Sequence, residues 1–261
     1  MRLLNARATV GGMTLYSIVL VAIFVGAGAV FVALLFLDAP YGRFARGGWG
    51  LTLTARASWF LMEFPAAASI LIMAVAGPRP DPVALVFLAA WEVHYVYRSL
   101  LYPFLLRENR ARTMPVALVA MAIVYNVANG YVNGYWLFFV GRYTADWLAD
   151  PRFILGGALF TVGMITHVWS DRILQRLRTP GEREYRIPRG GPFRFVSSPN
   201  YLGEIVQWCG FALATWSLAG LSFAVFTIAN LLPRALATHR WYRETFEDYP
   251  EDRKAIIPFV V

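Results

Sequence analysis

The chain contains one cysteine, Cys209, and it lies inside an apolar run. A single thiol excludes disulfides and leaves no thiolate cluster for a metal. Three histidines occur, His94, His167 and His239, with no HxxH or HExxH spacing, which removes the usual membrane di-iron or zinc reading. Lysine is nearly missing, with Lys254 alone beside 23 arginines. Charged residues make up only 15% of the chain and fall between apolar stretches. The formal charge of +8 is therefore not laid out as a nucleic-acid surface. No G-x-G-x-x-G follows a strand-like run and no P-loop motif occurs, so a nucleotide, if bound, is not held by a Rossmann fold. Internal repeats, low-complexity runs and separable soluble domains are also missing.

What is present is apolar sequence. Hydrophobic residues make up 58% of the 261 residues and the mean hydropathy is +0.49, outside the range of a soluble globular domain. About 20 apolar residues suffice to cross a bilayer as a helix. Seven stretches qualify, at about 13–37, 57–76, 83–106, 115–140, 152–170, 200–216 and 221–237. The expected fold is an all-α integral membrane protein, one bundle of seven transmembrane helices forming a single domain over residues 1–261. Arg2 and Arg7, followed by small residues at 26–29, resemble a cleavable leader. The apolar run continues past that point, so a retained anchor is expected. Loops one, three and five with the tail carry 17 basic residues against five on the other side. The positive-inside rule then places the C-terminus in the cytoplasm and the N-terminus outside, although Arg2 and Arg7 argue locally for the reverse. Arginine in place of lysine points to a GC-rich bacterial source, hence a bacterial inner membrane rather than endoplasmic reticulum.

The longest polar run, 171–204, carries seven arginines, the turn pair Gly190-Gly191 and a helix restart at Ser197-Ser198-Pro199-Asn200. One reading is an ordinary cytoplasmic loop. The other is an anion site built from arginine forks and a helix N-terminus. Asn200 and Glu204, one turn apart and entering the next apolar segment, favour the second. Candidate phosphate partners are Arg110, Arg112, Arg178, Arg186 and Arg234, with Asn109 and Asn200.

Charges inside apolar segments are informative, because each costs roughly 2.5–3.5 kcal/mol at helix centre unless paired or wet. Glu63 and Glu92 are two of these, and snorkelling or structural pairing stands as an alternative for either. In the third segment Tyr95, Arg98 and Tyr102 follow i, i+3, i+7 spacing and share a helix face, with His94 on an adjacent strip. Such a stripe is either an interhelical hydrogen-bond seam or a donor pair for a carbonyl that gains negative charge; spacing leaves both open. Asn126, Asn129 and Asn133 recur at helical spacing in the fourth segment. Gly130 and Gly134 between them predict close helix packing.

The stretches RASWFLMEFP (56–65), HYVYRSLLYPFLL (94–106), SDRILQRLRTPGE (170–182), YRIPRGGPFRFVSSPNYLGEIVQWCGFALATWS (185–217) and FEDYPEDRKAIIPF (246–259) together resemble the steroid 5α-reductases. The resemblance runs in order from about Trp59 to the C-terminus, while the first segment matches only as a generic anchor. It implies NADPH-dependent reduction of the Δ4 double bond of a 3-oxo-steroid, with hydride transfer to C5. By that resemblance Glu63 and Tyr95 match the catalytic pair that polarises the 3-ketone. Asn109, Arg112, Asp171, Arg178, Tyr185, Asn200, Glu204, Arg234 and Tyr242 match cofactor contacts, and Arg98 and Tyr102 join that set. Trp59, Trp208 and Phe226 fall where the family lines its steroid pocket. No metal is implied; the partners are a steroid or similar lipid substrate and membrane lipid. Three positions depart from mammalian members: Met62 for glutamine, His167 for asparagine and Thr238 for histidine. The rival readings are a related reductase of polyprenol or long-chain enoyl thioesters, and a non-catalytic transporter or receptor. Transporters commonly show paired halves with broken helices, a symmetry not found here.

Overall fold

The computed structural model describes residues 9–10, 13–78, 80–106, 113–177 and 185–260. Asn109, Arg110, Arg112 and Arg178 lie outside the described residues. The chain is a bundle of helices whose starts are written in the sequence: α1 (Leu15–Phe36), α2 (Ala55–Ala76), α3 (Pro82–Val96), α4 (Tyr102–Leu105), α5 (Val116–Tyr135), α6 (Pro151–Arg176), α7 (Pro199–Thr215) and α8 (Leu218–Thr245). Thr14, Thr54, Asp81, Asp150 and Ser217 each accept a backbone N–H at the first turn of α1, α2, α3, α6 and α8. Each satisfies one donor that the helix cannot satisfy itself.

Five helices, Leu15–Phe36, Ala55–Ala76, Val116–Val140, Pro151–Arg176 and Leu218–Thr245, are long and apolar enough to cross a membrane. The other two expected segments are also helical. One is α3, which runs through a π turn at Tyr97–Leu101 into α4; the other is α7, with 17 residues. Two helices outlast the expected spans: α6 continues past 170 to Arg176, and α8 past 237 to Thr245. Falling hydropathy marks where lipid contact ends. A helix continues until a backbone breaker, and neither extension contains glycine or proline.

The tightest seam lies between the antiparallel α6 and α7. A Cβ on Gly156 or Gly163 would fall into the backbone of α7 around Gly210–Ala214 and Gly203–Gln207, and Gly203 and Gly210 meet α6 in the same way. These glycines repeat every seven residues on each helix. Gly130 and Gly134 perform the expected role between α5 and α2, where a Cβ would meet Ser69 and Met73. Trp91, Trp208, Phe211 and Phe223 form an aromatic core between α3, α7 and α8.

The connecting segments meet in two groups. At one end Thr52–Thr54 pairs antiparallel with Thr113–Pro115. There too, Ser197 N donates to Lys254 O at 2.8 Å and Ser198 N to Ala255 O at 3.1 Å, clamping the C-terminal tail against the start of α7. At the other end the Tyr143 hydroxyl donates to Thr215 O at 2.8 Å and Trp147 Nε1 to Ala214 O at 2.9 Å. Burial pushes the Tyr143 hydroxyl up to about 12, so it stays a neutral donor.

Candidate active site

The site is organised by Arg98, and the π turn decides where its side chain goes. A π turn inserts one residue into an α-helix and re-aims the side chains beyond it. Tyr95, Arg98 and Tyr102, expected to share a helix face, do turn to one cavity, and across the π turn Tyr97 and Ser99 are buried beside Arg98. The Arg98 guanidinium lies between the rings of Trp59 and Tyr102, 4.3 and 4.8 Å from their centroids. Its Nη2 donates to Glu63 Oε1 at 3.1 Å, its Nη1 lies 3.8 Å from Asp171 Oδ2, and its Nε lies 3.6 Å from Glu204 Oε1. Glu63 thus does not snorkel; it is one of three carboxylates gathered on one arginine.

His167 closes this cluster from α6. Its Nε2 lies 3.1 Å from Asp171 Oδ2 and its Nδ1 3.2 Å from Glu204 Oε1, although neither contact has the alignment of a hydrogen bond. The glycine seam makes this possible, because Gly203 touches the His167 backbone and so brings Glu204 beside it. Tyr97 donates to Asp171 Oδ2 at 3.5 Å, and His94 Nδ1 lies 3.2 Å from Gln207 Oε1.

Tyr95 stands on the apolar side, 2% exposed, with Trp91 at 5.0 Å and Trp208 at 6.0 Å between ring centroids. Its hydroxyl is in electrostatic reach of Glu63 and Tyr125 and faces Asn129. Among the described residues no hydrogen bond joins Tyr95 to Glu63, whose partner is Arg98. The Tyr125 hydroxyl and Asn129 Nδ2 are buried without a hydrogen-bond partner among the described residues. The Tyr125 ring stacks on Phe226 at 3.7 Å. Glu92, by contrast, is half-buried with Oε1 unpartnered, and it does not line the site.

One cavity of about 1370 Å³ takes in all of this. Every described residue given a catalytic, cofactor or substrate role by the family resemblance, with Arg98 and Tyr102, lines it: Glu63, Tyr95, Arg98, Tyr102, Asp171, Tyr185, Asn200, Glu204, Arg234, Tyr242, Trp59, Trp208 and Phe226. So do the three departures Met62, His167 and Thr238. Arg186 is exposed and is not among the lining residues. Residues missed by the sequence reading are Tyr125, Tyr41 and Arg43. Tyr125 carried a signal, a phenol one position before Asn126 in an apolar helix. Tyr41 and Arg43 lie on the α1–α2 connection and carried none beyond a turn and a charge.

Comparison with known proteins decides the relationship. A family profile described as 3-oxo-5-alpha-steroid 4-dehydrogenase matches residues 112–261. The chain is 44% identical over 237 residues to 3-oxo-5-alpha-steroid 4-dehydrogenase 1 of Bos taurus, covering 88% of this chain and 91% of that one. It belongs to the steroid 5α-reductase family. Plant relatives are as extensive: steroid 5-alpha-reductase DET2 of Gossypium hirsutum is 40% identical over 255 residues, 95% of this chain and 98% of its own. The human 3-oxo-5-alpha-steroid 4-dehydrogenase 1 is 42% identical over 226 residues, 85% of this chain and 86% of its own. The steroid 5α-reductase profile covers α5 to α8, and with them Asp171, Glu204 and Arg234. Glu63 and Tyr95 precede it. As a member of this family the chain is an oxidoreductase, and among the described residues no cluster of His, Cys, Asp or Glu could hold a metal.

Proposed function

We propose that this protein reduces the Δ4 double bond of 3-oxo-Δ4-steroids to 5α-dihydro-3-oxosteroids with NADPH. The observation that carries the reading is the shape of one cavity. It joins an aromatic, apolar wall bearing the Tyr95 hydroxyl to a charged floor bearing Arg98, Asp171 and Glu204. Its volume exceeds the roughly 300–1000 Å³ of a pocket for one small ligand, which suits a dinucleotide and a steroid bound together.

The residues present fit the cofactor. Arg234 makes no ion pair among the described residues and is held instead by the hydroxyls of Tyr41 and Tyr201, leaving its charge available to a phosphate. Tyr185, Asn200, Arg234 and Tyr242 would hold the phosphate-bearing half, with the sequence-assigned Asn109, Arg112 and Arg178. Asp171, Glu204, Arg98 and Tyr102 would hold the inner half. When bound, the cofactor supplies the hydride, and the chain supplies position and electrostatics.

Hydride addition at C5 of the enone drives negative charge onto the 3-ketone oxygen, and C4 then takes a proton from solvent, which completes the reduction. The Tyr95 hydroxyl is the donor for that oxygen, and Glu63, in electrostatic reach of Tyr95, orients that donor. Arg98 holds Glu63 in place. Trp91, Trp208 and Phe223 keep the site dry, which strengthens a donor aimed at developing charge. Trp59, Trp208 and Phe226 form the steroid wall.

The same reading places the protein in a bacterial inner membrane as seven spans, with its N-terminus outside and cofactor site facing the cytoplasm. Support comes from the connectors: those expected on the cytoplasmic side pair with one another, and those expected outside likewise. Reporters after Val261 and within 141–150 test this, and finding both on one side would overturn it. The reaction itself is tested in detergent by steroid-driven loss of nicotinamide absorbance. Oxidation driven by an enoyl thioester or a polyprenol aldehyde, and not by a 3-oxo-Δ4-steroid, would replace this substrate class with the rival one.

A further inference from the structure

We propose that Arg43 is the residue that reads the extra phosphate distinguishing NADPH from NADH. This rests on the nicotinamide reading above and names the site of its specificity. Arg43 sits in a short turn, Gly42–Phe44, on the connection between α1 and α2. Its guanidinium lies over the rings of Tyr242, Trp241 and Tyr185, at 4.5, 4.8 and 5.6 Å from their centroids. Its Nη2 donates to the Tyr242 hydroxyl at 3.4 Å. Among the described residues its Nη1 is buried with no hydrogen-bond partner and Arg43 makes no ion pair. An aromatic cage that fixes a guanidinium while leaving donors unspent suits recognition of a dianionic phosphate, because the fork is already oriented when the anion arrives.

Position on α8 separates this site from that of Arg234. Tyr242, beside Arg43, lies eight residues beyond Arg234 on the same helix, roughly 12 Å along the axis at 1.5 Å per residue. Tyr201, which meets Arg234 at 3.4 Å, also feels the charge of Arg43, so both arginines face one stretch of cavity. Arg234, nearer the carboxylate cluster, then meets the diphosphate common to both dinucleotides. Arg43, at the loop end, meets the phosphate on the adenosine ribose. Arginine is needed there because a ring-stacked planar cation keeps its edge donors directed outward, which an ammonium does not.

The test measures binding, not turnover. NADP+, NAD+, 2′,5′-ADP and 5′-AMP are titrated into the purified full chain in detergent by calorimetry, for the wild type, Arg43→Gln, Arg43→Lys and Arg46→Gln. Arg46 is an exposed arginine of the same connection, outside the cavity. Arg43→Gln is expected to weaken NADP+ and 2′,5′-ADP by roughly ten- to a hundredfold while leaving NAD+ and 5′-AMP unchanged. Arg43→Lys should give a smaller loss confined to the same two ligands, and Arg46→Gln none. Equal losses for both pairs, or no loss for either, overturn the assignment. If Arg43→Gln does not fold, Arg43→Lys decides by the same contrast between pairs. Wild-type protein that binds none of the four would remove the cofactor reading itself, and this inference with it.

Discussion

Arg98 and the pair Arg43 and Arg234 line the same cavity and have opposite surroundings. Arg98 faces Glu63, Asp171 and Glu204, with His167 bridging two of those acids. Arg43 and Arg234 face phenols and indoles, with no ion pair to a carboxylate among the described residues. A buried arginine surrounded by acids has its charge spent, so it organises its neighbours and little else. One held by aromatic rings and hydroxyls keeps its charge for a ligand. The difference divides the cavity into an acid-rich floor, where one compensated arginine serves three carboxylates and chemistry needs fixed geometry, and a cationic mouth, where an anion completes the ion pairs.

The largest expected effect tests the compensated side. Replacing Arg98 by methionine leaves three carboxylates together in a buried site. Such orphaning typically costs about 3–5 kcal/mol, read as a large fall in melting temperature in detergent. A melt within a degree or two of wild type would show the cluster to be wet and weakly coupled. Next comes Tyr95→Phe, which removes the donor and keeps the ring. Turnover should fall by about 10²–10³ with nucleotide affinity intact. Glu63→Gln should be severely impaired as well. The double variant should lose little more than the worse single one, since groups acting together are non-additive. Near wild-type turnover by folded, nucleotide-binding Tyr95→Phe protein would refute the donor role.

A smaller effect is expected at the uncompensated side. Arg234→Ala should keep the fold and weaken both NADP+ and NAD+ by about ten- to a hundredfold, the usual cost of one charge-assisted phosphate contact. Arg112→Ala and Arg178→Ala, assigned from sequence, should raise the Michaelis constant for NADPH more than that for steroid. If Arg234→Ala unfolds the protein while binding is unchanged in the folded fraction, the contrast drawn here is wrong. Smallest is Glu92→Gln. Among the described residues Glu92 makes no ion pair, and it lies outside the cavity, so turnover should be unchanged and stability should shift by no more than about 0.5 kcal/mol. A marked loss of rate, measured at saturating steroid and NADPH, would give Glu92 a part in the reaction.

Much of the site was legible one residue at a time. Asp171, Asn200, Glu204 and Arg234 stand out because a polar residue in or beside an apolar run demands an explanation, and the family pattern then supplied a common one. Helix starts were legible too, since a capping side chain and the donor it satisfies are neighbours in sequence. Helix ends were not: hydropathy reports lipid contact, and α6 and α8 outlast it by six and eight residues. The π turn at Tyr97–Leu101 was not legible either, because regular spacing assumes an unbroken α-helix; it buries Tyr97 and Ser99 beside Arg98 while Tyr95, Arg98 and Tyr102 still line the cavity.

By itself the sequence determined the class of this protein: apolar runs long enough to span a bilayer, connecting segments unevenly loaded with arginine, and a family pattern from Trp59 onward. Each of these depends on composition or on residues close together in the chain. Which charges meet was decided only by the tertiary structure. Arg43 and Tyr242 are 199 positions apart and Tyr41 and Arg234 193, while Glu204 reaches His167 only because glycines let α6 and α7 touch backbone to backbone. A helical period is a local property of one chain segment. The partner across a cavity is set by how two helices pack, and no spacing within either one records it.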